Sequence, residues 1–142
     1  MTALATLLGS TLPIVQAPMA GVQDHRLAAA ACSAGALGSL PCAMLAPEAM
    51  RGELAALQAQ AAGRPYNVNF FCHQPPPPDA GREAAWRAAL APYHAEFGID
   101  GAAIPAGAGR LPFSAAAAEV LEAFRPPVVS FHFGLPAPEL LA

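Results

Sequence analysis

Pro13-Ile14-Val15-Gln16-Ala17-Pro18-Met19-Ala20-Gly21 is the stretch whose reading decides the fold. A short apolar run meets Pro18 and then Gly21, so a strand ends abruptly, the backbone turns, and a helical pattern starts soon after. That is the opening of a β/α unit. In open α/β sheets and α/β barrels alike, ligands collect at the carboxyl ends of such strands, which puts Ala17 to Gly21 where a ligand would sit.

The same pattern recurs downstream. Asp24 predicts a helix N-cap ahead of Leu27–Cys32, with Gly35 at the C-terminal stop. Ala36–Leu40 predicts a second strand whose small residues let a neighbouring backbone or ligand come close. Pro47 opens a second helix that runs to about Ala62 and halts at Gly63, with Leu54, Leu57 and Ala61 on one face. Tyr66–Phe71, rich in aromatic and β-branched residues, predicts a third strand, and alternation points Asn67 and Asn69 the same way. Gln74–Asp79 is a stiff polyproline spacer, either a loop over a site or a plain linker.

Gly81–Phe97 is helix-forming, and Trp86, Leu90 and then Tyr93 or Phe97 make an apolar stripe expected to be core, with Pro92 kinking or dividing the helix. Gly98–Leu111, rich in Gly and Ala, reads as a connection. Ser114 caps a helix over Ala115–Phe124, which Arg125-Pro126-Pro127 ends. Val128–Gly134 predicts a fourth strand carrying His132 at its carboxyl end, and Pro138–Ala142 has the composition of the first turn of one more helix. Strand then helix, four times over, implies an α/β fold with a parallel sheet and right-handed crossovers.

Composition narrows the function classes. The 142 residues suit one domain, and the 55% apolar fraction is swollen by alanine, which adds helix propensity more than buried area. No apolar run approaches the roughly 20 residues of a membrane span, and Met1–Ser10 lacks the basic region of a secretory signal, so a cytoplasmic protein is expected. A net charge of -3, with seven basic residues scattered singly, leaves no footprint for nucleic acid or an acidic membrane. Three cysteines without a CxxC pair argue against a disulfide framework or structural zinc and predict buried free thiols. Four histidines without HExxH spacing predict no metal site. Nor is there a GxSxG elbow, and Cys72 beside His73 is no nucleophile pair, because neighbours on a strand point to opposite faces.

Three pieces in order carry a resemblance: PIVQAPMAG at Pro13–Gly21, AGALGSL at Ala34–Leu40 with YNVNFF at Tyr66–Phe71, and PPVVSFHFGLP at Pro126–Pro136. From Leu12 onward the chain resembles the FMN-dependent nitronate monooxygenases, formerly called 2-nitropropane dioxygenases. The resemblance implies a (β/α)8 TIM barrel with a smaller inserted region. Residues 1–142 would be its N-terminal half, about four β/α units of the parallel barrel sheet. It implies oxidation of alkyl nitronates with O2 through FMN. Ala17, Pro18 and Met19 would line the flavin, largely through backbone, Asn69 matches a flavin-contacting Asn, and His132 matches a His that looks towards the substrate pocket and would orient an anionic nitronate.

Some of the family pattern has no counterpart. The catalytic-base His of an AGGH-type segment and the phosphate loops of the last two strands are missing, and Gly107-Ala108-Gly109 is no substitute. Two other readings stay open: an FMN-dependent enoyl-acyl-carrier-protein reductase, whose first strand is similar, and a non-catalytic or inactive half-barrel fragment needing a partner. A half-barrel leaves unpaired strand edges, so self-association through those edges and weak FMN retention are expected.

Overall fold

In the computed structural model, residues 2–104 and 111–141 are described, so Gly107-Ala108-Gly109 and part of the expected 98–111 connection lie outside them. In chain order the elements are α1 (Ala3–Leu8), α2 (His25–Ser33), β1 (Gly38–Pro41), α3 (Pro47–Ala61), β2 (Tyr66–Phe71), α4 (Ala80–Glu96), α5 (Ala115–Phe124), β3 (Val128–His132) and a 3-10 turn at Pro138–Leu140. By internal packing the chain divides into two compact units, Met1–His73 with Arg110–Ala142, and Gln74–Gly109.

In the first unit, β1, β2 and β3 form a parallel sheet in that order, with Leu40 beside Val68 and Val68 beside Val129. Period-two alternation sends Leu40, Val68, Phe70, Val129 and Phe131 to one face, where they meet Met50, Leu54 and Leu57 of α3 and Ala117 and Val120 of α5. Helix α2 comes closest. A Cβ on Gly38 would stand 2.0 Å from the Ala28 carbonyl oxygen and 2.8 Å from Cys32 Sγ, so only glycine lets α2 lie on β1 here. The predicted caps form: Asp24 Oδ1 accepts from the Arg26 N–H and Ser114 Oγ from the Ala117 N–H. Helix α3 ends in left-handed residues, Ala62 (φ 51°) and Gly63 (φ 80°). The six-residue α1, capped by Thr2, has no counterpart among the predicted elements.

Several expectations need correction. Pro13–Ala17 is not a ladder strand, so the described sheet has three strands and not four. Val15 makes only an isolated parallel bridge to Leu37. The reason is Pro18, which stands where the next N–H of the ladder would be needed and has none to give. β3 stops at His132 and not Gly134, because Phe133 (φ 67°) and Gly134 (φ 113°) turn the chain out of the sheet. Helix α4 runs undivided through Pro92. Its stripe is not core: Trp86, Tyr93 and Phe97 are exposed and Leu90 half-buried. Within its own unit no other helix or strand is described that could close over that stripe. Of the free cysteines, Cys32 and Cys42 are buried as expected, while Cys72 is only half-buried. Among the described residues no helix is long and apolar enough to cross a membrane.

Candidate functional site at the carboxyl ends of the strands

Because the strands are parallel, the chain leaves them all at one edge of the sheet. There the turn at 17–21, the segment after β1 and the segment after β2 come together. The Cys42 N–H donates to the Asn69 carbonyl at 2.9 Å and the Cys72 N–H to the His132 carbonyl at 2.8 Å, which carries the pairing past the strand ends. Gly21 (φ 83°) lies against Met44, whose Sδ is 3.7 Å from where a Cβ would be.

The sheet face opposite the helices is polar. Asn67 and Asn69, each 4% exposed, do point the same way, and they bracket Ser130 of β3. Asn67 Nδ2 donates to Ser39 Oγ at 3.1 Å and to Ser130 Oγ at 3.0 Å, and Asn69 Nδ2 donates to Ser130 Oγ at 2.9 Å. Asn67 Oδ1 is buried without a partner in the described residues. This layer fixes the Asn69 amide: its nitrogen is held against β3, which leaves its oxygen as the group free to accept from a ligand.

His132 lies one alternation beyond Ser130 on that face and is exposed. Its ring stands 6.2 Å from Phe71 and 5.9 Å from Phe133, centroid to centroid. His73 joins the same cluster, 6.3 Å from Phe71 and 6.3 Å from Phe133. Alternation alone would aim Phe133 at the helices beside Phe131. Its left-handed backbone, costly for a non-glycine residue, swings it instead onto Phe71 and the two imidazoles. The sequence signal for His73 was its place two residues past Phe71 on the Asn67–Asn69–Phe71 alternation.

Ala17, Pro18 and Met19 lie past the Val15 bridge, and Ala17 and Met19 are exposed. The Val22 N–H donates to the Met19 carbonyl at 3.3 Å, while the N–H groups of Ala17, Met19, Ala20 and Gly21 donate to no described acceptor. Gln16 and Gln23 flank this turn and bond to each other at 2.9 Å. Sequence reasoning passed over both, since a lone glutamine has no motif. His25 Nδ1 is 2.9 Å from Glu53 Oε2 and ties α2 to α3, and half-buried His94 belongs to α4. A cavity of about 260 Å3 lined by Gln58, Arg64, Tyr66 and Arg125 opens at the amino ends of β2 and β3, the end of the sheet opposite His132. No group of three or more metal-ligating side chains occurs among the described residues.

The titratable groups beside the site are set for structure. Burial pushes the Cys42 thiol up to about 12, so it stays protonated and unreactive. The Arg26 guanidinium hydrogen-bonded to Asp24 holds that carboxyl down at about 2, so the cap of α2 stays charged.

A family model described as nitronate monooxygenase matches residues 1–142. A nitronate monooxygenase of Paraburkholderia phytofirmans is 40% identical over 144 residues, covering 99% of this chain and 38% of that protein. One of Pseudomonas aeruginosa is 41% identical over 134 residues, 92% of this chain and 37% of its own length. Among solved structures, nitroalkane oxidase from Streptomyces ansochromogenes superposes with a TM-score of 0.76 at 39% identity, over 99% of this chain and 38% of that one. FabK from Thermotoga maritima, at 22% identity and a TM-score of 0.61 over 94% of this chain and 31% of its own, shares the fold. The chain thus spans less than two fifths of the length of these relatives.

Proposed function

This chain belongs to the nitronate monooxygenase family, and we propose on that premise that it supplies a flavin-facing and substrate-facing wall of an FMN-dependent oxidase of alkyl nitronates. In this reading residues 1–142 are the N-terminal part of a (β/α)8 barrel, with β1, β2, β3 and the bridged segment at Val15 as neighbouring staves. The observation that carries the reading is the turn at 17–21, where four backbone N–H groups with no acceptor among the described residues stand at the carboxyl edge of a parallel sheet. A flavin ring is planar and edged with carbonyl and ring-nitrogen acceptors, so a run of uncommitted backbone donors suits it.

FMN, when bound, would supply the two-electron acceptor that O2 then reoxidises. The rest falls to side chains. Ala17 and Met19 would hold the ring edge through their N–H groups, and Pro18 would fix the backbone between them. Asn69 Oδ1 would accept from the ring, its nitrogen being fixed by Ser130. His132 would donate to a nitronate oxygen and orient the anion, while Phe71 and Phe133 would pack its alkyl part and exclude water. No residue of this chain is assigned the removal of a proton. The outer edge of β3, unpaired among the described residues, supports pairing with further barrel strands or with a second copy.

Titrating the protein with FMN while following flavin fluorescence tests the wall, and saturable binding weakened by Asn69→Ala is expected. Oxygen uptake with a primary alkyl nitronate, comparing His132→Gln, tests the substrate role. Absence of saturable FMN binding would sink this reading.

A further inference from the structure

We propose that Gln16 and Gln23 are positioning residues that hold the Ala17–Gly21 turn in its ligand-facing form, their side chains filling the backbone groups of Ser39 where the ladder stops at Pro18. This rests on the reading of that turn as the flavin wall. In parallel pairing the hydrogen bonds recur every two residues. The opening segment makes two with Leu37: the Leu37 N–H donates to the Ile14 carbonyl and the Gln16 N–H to the Leu37 carbonyl, each at 2.9 Å. One step further, the same register would join the Ser39 N–H to the Gln16 carbonyl and an N–H of residue 18 to the Ser39 carbonyl. Residue 18 is proline and has no N–H.

Both valences of Ser39 are filled another way. Its N–H donates to Gln16 Oε1 at 2.9 Å, and its carbonyl accepts from Gln23 Nε2 at 2.7 Å. The two amides are joined, Gln16 Nε2 donating to Gln23 Oε1 at 2.9 Å and also to the Ala17 carbonyl. Ser39 is 0% exposed, so an unfilled N–H or carbonyl there would be costly. Residues 17–22 therefore form a loop closed at its neck by two amides clamped on one buried residue of β1. The clamp lets the backbone leave the sheet at Pro18 with its N–H groups uncommitted, yet keeps both ends of the loop in register with β1.

The test separates positioning from plain stability. In the flavin-free protein, Gln16→Leu is expected to speed amide hydrogen exchange at Ser39 about tenfold or more, leaving Val68 of β2 unchanged. Unchanged Ser39 exchange would overturn the clamp. Gln23→Glu, which cannot donate to the Ser39 carbonyl, is expected to raise the FMN dissociation constant about tenfold, and Gln23→Lys, which can donate there but cannot accept from Gln16, to restore part of it. Equal FMN affinity in the folded Glu and Lys variants, with only the melting temperature lowered, would overturn the positioning role. If the unaltered protein shows no saturable FMN binding, the flavin wall itself falls, and Ser39 exchange still decides whether the clamp exists.

Discussion

On one face of the sheet Leu40, Val68, Phe70 and Phe131 lie under α2, α3 and α5; on the other Ser39, Asn67, Asn69 and Ser130 bond to one another across three strands. Both faces are largely buried, yet they are held by different physics. The helix face is apolar, non-directional and tolerant of shape changes that conserve volume. The polar face is directional: each amide has one geometry that satisfies it, so the layer fixes where Asn69 and, one step on, His132 stand. A polar face gains less from burial than an apolar one, and the candidate site lies at its carboxyl end.

The comparison can be broken at either face. Leu54, fully buried under the sheet, should be the most costly single truncation: Leu54→Ala is expected to lower unfolding free energy by about 2–5 kcal/mol in urea denaturation. Ser130→Ala should cost less, about 1–3 kcal/mol, because its hydroxyl serves the amides of both Asn67 and Asn69. A Ser130→Ala loss equal to that of Leu54→Ala would show the polar layer to be the true core. A loss near zero would show that the layer positions nothing. His132→Gln should change stability by no more than about 0.5 kcal/mol in the same assay, because the side chain is exposed. A larger loss would make it structural.

The smallest effects are those of pH. The carboxyl of Asp24 sits at about 2 in the fold, below the ~3.9 of an unfolded chain. Its capping contribution is therefore complete above ~3.9 and is lost as pH falls through about 2. The Cys42 thiol, raised by burial to about 12, runs the other way. Its contribution is complete below the ordinary thiol value of ~8.5 and is lost as pH rises towards about 12. Circular dichroism against pH should show a shallow loss on each side, with Asp24→Asn flattening the acid limb and Cys42→Ser the alkaline one.

Some regions were legible and others were not, for identifiable reasons. Tyr66–Phe71 and the Ser114 cap of α5 emerge with the boundaries the sequence predicts, because strand composition and capping are local properties. The shared direction of Asn67 and Asn69 follows from alternation alone. The opening run failed as a strand although its composition suited one, since continuing the ladder needs an N–H at residue 18 that proline does not have. The stripe of α4 failed as core because helical spacing shows only that a face is apolar, not that another element covers it.

What the sequence by itself determined is the alternation of strand and helix, the parallel order this implies, and the membership of a family whose motifs sit at strand ends. These rest on short-range periodicity and turn chemistry, which each segment carries alone. Only the tertiary structure decided that Gln16 and Gln23 would fill the valences of Ser39, that Ser130 would hold both asparagines, and that Phe133 would turn onto His73 and His132. Each of those contacts joins residues whose meeting depends on where whole elements pack, and no local pattern records it.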